Sequence, residues 1–517
     1  MLAQARRPVV QRPRATSASL PAPIGGWNAR DALGDMAATD AVYLTNWFPG
    51  TTDVMVRGGH THWATGLPDQ VESLLVYAGG ASNKLFAASG SGIYDVTAGG
   101  AVGAAAVSSL TNVRIQYQNV STAGGDFMLC VNGANKLRGY NGSTWWVDGD
   151  GAHDITGLDT AGVIQINLFK NRIWFVQNNS LTPYYLGTSS IAGAAVAFPL
   201  QGIAQMGGYV VAMGTWTIDA GSGVDDLAVF VTNKGEIIVY KGTDPASAST
   251  WALVGVWRLG APVGRRCLFK YAGDLLVISQ DGLLPLSSAL QSSRINPKVA
   301  LTDKIQFAVS TAVTSYGDNF GWQTFYYPKN NQLYLNVPVL EGSTQQQYVM
   351  NTITKNWCNF EGWNANCWEL YEDQPYFGGD TFVGLAYNGN SDNGDNIDFD
   401  GKQAFNYFGS RGLLKRWTMM RPIIQSSGIP SLLANINVDF EEAFPTSAIS
   451  YTPQQYGVWD VSTWDTAIWT GGLSISKSWK GVNGVGYCAA VRLVGSSQGI
   501  DTHWVSTDLV MEKGGIL

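Results

Sequence analysis

Four histidines, five cysteines and one carboxylate-rich run are the places in this sequence where chemistry could reside. His60 and His62 stand two apart, so on a strand they share a face and could ligate one metal ion, but no third ligand is identifiable beside them. Packing or a solvated loop is the simpler reading. His153 and His503 have no recognisable Ser or Cys nucleophile motif around them, which leaves nucleophilic catalysis without support. The run Asp392-Asn393-Gly394-Asp395-Asn396-Ile397-Asp398-Phe399-Asp400-Gly401 gathers hard oxygen ligands around glycines as calcium loops do. It fails the EF-hand spacing because no Glu stands at the twelfth position, and a polar turn rich in Asx bends accounts for it equally well, so calcium binding stays open here. Asp148-Gly149-Asp150 with Asp154 carries the same ambiguity.

Glycoside hydrolysis needs two carboxylates flanking the scissile bond, and no such pair can be assigned. Ser279-Gln280-Asp281-Gly282 has the wrong spacing for the aspartate box of sialidases. Trp459-Asp460 and Trp464-Asp465 contain a Trp-Asp pair but lie five apart, instead of recurring about every 40 to 45 residues as in repeat propellers. Arg265-Arg266 and Lys415-Arg416 could touch phosphate, although isolated basic pairs are usually solvated. Cys130, Cys267, Cys358, Cys367 and Cys488 form an odd set with no CxxC spacing, which gives neither a disulfide framework nor a zinc cluster and reads as buried thiols in a reducing compartment. We assign no catalytic residue, no cofactor and no metal ligand from the sequence.

The elements that would position any site are strands. Only 14% of the side chains are charged while 12% are aromatic, and the 61 glycines argue against long helices, because glycine is a poor helix former and aromatics suit pleated, half-buried surfaces. Short apolar runs punctuated by Gly, Asn and Asp recur in groups of three: 73–77, 84–88 and 92–96, then 127–131, 136–140 and 144–147, with Asn132-Gly133 and Asn141-Gly142 at the bends. A third group runs through 163–166, 171–176 and 183–186, a fourth through 227–232, 236–240 and 251–258, and a fifth through 266–271, 275–279 and 283–286. Residues 326–338 and 347–361 supply a sixth, and 368–385 completes it or begins a seventh. Radial blades absorb such units while leaving few unprotected sheet edges, so the expected fold is all-β, a β-propeller with an additional β-rich platform.

Residues 1–23 hold four arginines and no acids and read as a basic arm ordered only by assembly partners. Residues 24–66 are expected to form an N-terminal platform segment, with Asp40 capping a short helix, 67–410 the propeller and 411–517 a C-terminal β-domain against which the N-terminal segment packs. Trp459, Trp464 and Trp469 stand at near-regular intervals there, as a binding face or as core. No window holds the roughly 18 apolar residues of a membrane helix, and no apolar stretch follows the N-terminal arginines as it would in a cleaved signal. The net charge of −7 gives no drive for tight binding to phosphates.

Gly25-Gly26-Trp27-Asn28 with Asp31, Leu33, Asp40 and Asn46-Trp47-Phe48-Pro49 resembles the start of tail structural proteins of short-tailed bacteriophages. Asp225-Asp226-Leu227-Ala228-Val229-Phe230 through Gly235-Glu236, Tyr240 to Pro245, Gly264-Arg265-Arg266, Gly273-Asp274-Leu275 and Asp281-Gly282 is similar to the middle of the same proteins, as is Met511-Glu512-Lys513-Gly514-Gly515 to their end. The family is the tail nozzle, also called tail tubular protein B or packaged-DNA-stabilising hub. The resemblance implies a homo-hexameric ring in the virion tail, assembled in the host cytoplasm. It further implies contacts with the head-to-tail adaptor and with tail fibres or spikes, passage of packaged double-stranded DNA through the channel without sequence-specific binding, no stable membrane insertion and no enzymatic activity. A carbohydrate- or receptor-binding propeller is the alternative, since exposed tryptophans would stack on sugar rings.

Overall fold

The computed structural model describes residues 15–80, 82–219, 224–290, 297–449 and 473–514. The chain is nearly all β and divides into two compact units, one of residues 1–57, 356–358 and 394–517, the other of residues 58–355 and 359–393. The second unit therefore starts at Gly58 and the first resumes at Gly394, where the sequence suggested boundaries after residues 66 and 410. Among the described residues no helix is long and apolar enough to cross a membrane.

The larger unit is a propeller whose described residues form seven blades. Their innermost strands are Val71–Tyr77, Gln116–Thr122, Val163–Phe169, Val210–Asp219, Leu268–Tyr271, Gln323–Tyr327 and Cys367–Tyr371. Each of these lies beside the innermost strand of the next blade, and the last lies beside the first, so the ring closes. Within a blade the strands run as antiparallel meanders, as in Val71–Tyr77, Lys84–Ser89 and Gly92–Asp95. Tight Asn-Gly and Gly-Asp turns allow this, because glycine and asparagine tolerate the positive φ such hairpins need.

Closure uses the chain's own beginning. The seventh blade contains Cys367–Tyr371, Gln374–Gly378 and Phe382–Ala386, and its next strand is His60–Thr65, paired antiparallel to Phe382–Ala386. Residues from both ends of the unit then share one apolar layer: Ala64, Leu67 and Val71 pack with Cys367, Tyr376 and Val383. Elsewhere aromatic side chains fill the space between blades. Trp174 of the third blade is fully buried, with its ring centroid 5.5 Å from Phe230 and 5.9 Å from Trp251 of the fourth.

The smaller unit is a β-sandwich of N-terminal and C-terminal segments. In one sheet, Thr502–Lys513 pairs with Lys415–Ser426 on one side and with Ala15–Pro21 and Val54–Val56 on the other. In the facing sheet, Asp40–Thr45 pairs with Ile397–Gln403, which pairs with Ala489–Ser497 and so with Ser431–Val438. Trp47 links the layers, 4.8 Å from Phe399 and 6.0 Å from Trp504 between ring centroids. Two expectations are corrected. Residues 15–21, assigned to a basic arm without structure of its own, form a strand in register from Ala15↔Glu512 to Pro21↔Ser506, and Leu20 is buried. Backbone pairing needs no apolar composition, which is why the polarity of 15–21 misled; residues 1–14, with the four arginines, lie outside the described residues. Asp40 caps no helix: it opens a strand, and its carboxylate accepts from Asn28 Nδ2 at 2.8 Å.

One ion cluster makes the sandwich sensitive to pH. His503 lies between two carboxylates, Nε2 at 3.1 Å from Asp501 and Nδ1 at 2.6 Å from Asp53. The bonds to Asp501 and then Asp53 push its pKa up to about 9. A raised imidazole pKa stabilises the fold fully below the unfolded value near 6.5 and ceases to do so as pH climbs through about 9. We expect a loss on the order of 1–2 kcal/mol, after discounting for solvent screening, between pH 6.5 and 9.5 in urea denaturation. His503→Gln should flatten that slope; an unchanged slope would place the titration elsewhere.

Candidate functional site

The propeller axis gathers half-buried polar side chains from several blades. Innermost strands of neighbouring blades diverge radially and cannot form a continuous ladder, so side chains bridge them. Gln165 of the third blade accepts from the backbone N–H of Met213 and donates to its carbonyl, at 3.1 and 2.9 Å. Gln323 of the sixth clasps Trp368 of the seventh in the same way, at 3.1 and 2.8 Å. Asn119 of the second donates to the Val76 carbonyl of the first at 2.8 Å. A side-chain amide carries both N–H donors and a carbonyl acceptor, so it can meet the donor and the acceptor of an unpaired backbone residue together.

One side chain spans the axis. Arg266, just before the fifth blade, donates through Nη2 to the Glu72 carbonyl at 2.9 Å, to Ser73 Oγ at 2.7 Å and to the Ile115 carbonyl at 3.5 Å, and its Nη1 reaches Gln323 Oε1 at 3.5 Å. One guanidinium thus ties the fifth, first, second and sixth blades. Its Cζ lies 4.9 Å from the Phe320 ring centroid, and the Arg114 Cζ lies 4.5 Å from the same ring. Arg114 is in turn neutralised by Glu72 at 3.1 Å and Glu341 at 2.5 Å. Two cations sharing one aromatic ring, with carboxylates on the outer one, make a compact plug.

Arg266 also lines a cavity of about 240 Å³, shared by residues of all seven innermost strands or the turns leading into them. Glu369 is the one acidic side chain among its lining residues. Burial pushes its pKa up to about 7, against the lowering influence of a hydrogen bond from the Tyr117 hydroxyl, the Leu370 N–H and the charge of Arg266. Burial likewise pushes the Tyr117 phenol well up and holds Arg266 below its usual value. All three keep some surface facing the cavity while protein packs densely around them. The arrangement can bind a proton near neutral pH and can hold a small polar guest. A single carboxylate does not make the acid–base pair that glycoside hydrolysis requires.

The residues singled out in the sequence mostly have structural jobs. His60 Nδ1 lies 3.1 Å from Asp392 Oδ1, which also accepts from Trp363 Nε1 at 3.2 Å. His62 stacks on Phe382 at 3.8 Å, and burial followed by the neighbouring His60 lowers its pKa. Among the described residues no group of three His, Cys, Asp or Glu is placed to hold a metal ion. Asp392 and Asp400 fall to different duties, since Asp400 binds Arg492 at 2.7 Å and begins no ligand cage. Asp148 is buried, accepting from the Ile155 N–H and from Thr160 Oγ1. Asp150 holds His153, whose ring stacks on Trp146 at 4.1 Å. Ser279 donates to the Gly282 carbonyl, and Asp281 accepts from the Gly260 N–H at 2.7 Å. All five cysteines are buried and none is in a disulfide. Lys415 is buried too, its ammonium donating to the carbonyls of Ser410, Leu413 and Tyr487, so it is not a phosphate contact. Trp459, Asp460, Trp464, Asp465 and Trp469 lie outside the described residues. Sequence reading passed over Gln116, Tyr117, Phe320 and Glu369. Their only signal is that polar residues interrupt otherwise apolar runs at the starts of successive blades.

No family model matches the chain, and no curated protein does. Solved structures similar to it include the β-propeller domain of Cps50 (Swd1) from Myceliophteria thermophila, at 11% identity over 62% of this chain and 99% of that one, with a TM-score of 0.36. YCF48 from Cyanidioschyzon merolae is similar at 12% identity over 66% of this chain and 97% of that one, with a TM-score of 0.31. Likenesses at these scores carry no weight for function, and the propeller rests on the seven sheets and their closure described above.

Proposed function

We propose that this protein is a structural component of a short bacteriophage tail, a nozzle subunit of which six copies surround the path of the packaged genome. The observation that supports the ring is the narrow axis, which Arg266 spans. A duplex whose major groove alone is about 12 Å wide cannot pass a 240 Å³ cavity plugged by Arg266, Phe320 and Arg114. A conduit built from such a subunit therefore has to lie between copies arranged about a common axis, as closed heterologous rings do. The residues that carry the family resemblance support a structural role. Gly25 and Gly26 pass where a Cβ would stand 2.4 Å from Asp40 Oδ1 and 2.6 Å from the Trp357 carbonyl, and Gly26 has φ +76°. Asn28 joins Asp31 and Asp40 by hydrogen bonds of 2.9 and 2.8 Å, and Asn46 donates to the Asp398 carbonyl at 2.7 Å. These are fold-holding contacts of the sandwich. A net charge of −7 also suits a wall along which a polyanion must slide without being held.

The test is a virion made without this protein, together with a map of the complete tail. Heads that fill and then leak DNA, and six copies surrounding the channel, are the expected results. Peripheral copies with normal DNA retention in their absence would overturn the proposal and move the protein to the receptor-binding reading.

A further inference from the structure

Three polar groups lining the axial cavity are left without adequate partners. The Arg265 guanidinium, with five N–H donors, makes a single long bond, 3.4 Å to the Asn132 carbonyl, and has no carboxylate partner. Among the described residues the Gln116 amide has no hydrogen-bond partner, and Thr324 Oγ1 is buried with none. Thr324 Oγ1 is buried without a partner, and the half-buried Arg265 and Gln116 side chains keep hydrogen-bonding capacity that no protein group takes up, so the lining can hold a polar guest. The other cations nearby are accounted for: Arg114 by Glu72 and Glu341, and Arg266 by Ser73, the Glu72 and Ile115 carbonyls and the field of Glu369.

We propose that the axial cavity is a binding site for one small organic monocarboxylate, held by Arg265 and the Gln116 amide. Charge sets the valence. One guanidinium lacks a counter-charge, and Glu369 in the same lining would repel a dianion, which disfavours phosphate. Size and lining set the body: about 240 Å³ accommodates a few carbon atoms, and the half-buried Leu268 and Phe269 offer an apolar surface that a bare inorganic ion would not use. Arg binds carboxylates through a planar fork, the geometry that lysine lacks. The inference stands independently of the tail assignment, since it rests on the propeller alone.

The experiment is isothermal titration of the full chain with sodium pyruvate, with sodium chloride, sodium phosphate and glucose as comparison probes, each followed by a thermal melt. Pyruvate should give a saturable heat and raise the melting temperature. Arg265→Gln should weaken it by about tenfold or more, the factor expected when a charge-assisted bond is lost. Gln116→Leu, which leaves every charge in place, should weaken it to a smaller extent, and both variants should keep the cooperative melt of the parent. Absence of saturable pyruvate binding, binding unchanged in both variants, or equal or tighter binding of chloride, phosphate or glucose would each overturn the proposal.

Discussion

Arg266→Met should cost about 3–5 kcal/mol, the range for removing one partner of a buried, hydrogen-bonded charge set. The substitution keeps most of the side chain's volume but abandons the carbonyls of Glu72 and Ile115 and the hydroxyl of Ser73 on two other blades. It also takes away the cation that helps Glu369 ionise. The pH dependence separates these contributions. Glu369 has a folded pKa raised from 4.5 to about 7, so its favourable contribution is complete below 4.5 and is lost as pH rises through 7. Without Arg266 that pKa moves higher still. Below pH 7 the carboxyl is protonated in both folded proteins and the variant loses only hydrogen bonds and packing; above pH 7 the gap widens. Urea denaturation at pH 6 and pH 8.5 should show the larger cost at 8.5, and adding Glu369→Gln should return the two values to equality. A cost independent of pH would show that Arg266 acts only through the carbonyls it ties.

The second large effect is expected at the ring's closure. Ala64→Asp places a carboxylate at a fully buried position where the N-terminal strand His60–Thr65 completes the seventh blade, among Leu67, Val71 and Val383. A buried charge without a partner costs several kcal/mol, so the destabilisation should be at least about 3 kcal/mol. Thr65→Asp, one residue on and solvent-exposed, should stay within about 0.5 kcal/mol. Because the strand joins the two ends of the unit, loss of its pairing opens the ring, and proteolysis should cut near residues 58–66 in the Ala64 variant first. Equal stability of the two variants would mean that the propeller does not depend on this closure.

The meander strands of five blades were legible because each is an apolar run bounded by Gly, Asn or Asp turns, as at 84–88 and 92–96 or 275–279 and 283–286. The innermost strand of the second blade was not. Gln116-Tyr117-Gln118-Asn119 reads as a polar linker, since a strand whose side chains bridge blades and line an axis needs amides where a core strand needs valines. The number of blades was likewise hidden, because the seventh is completed by a strand more than 300 residues upstream of its neighbour, and no local pattern records that pairing. The helix Gln306–Tyr316 went unread as well: its β-branched Val309, Val313 and threonines give it a weak helical signature, and packing rather than propensity holds it.

Composition, turn residues and alternation by themselves determined that the chain is all-β, that it is built of repeated hairpins flanked by a second β-unit, and that its histidines and cysteines carry no recognisable catalytic pattern. Those properties depend on neighbours a few residues apart, where period and turn chemistry act. Only the tertiary structure decided that Arg266 spans the axis, that Glu369 lines the same cavity with its pKa raised to about 7, and that Arg265 and Gln116 line it with hydrogen-bonding capacity to spare. Each depends on residues from several blades converging on one line, and burial, which shifts the pKa and makes an unpaired donor costly, exists only once the ring has closed.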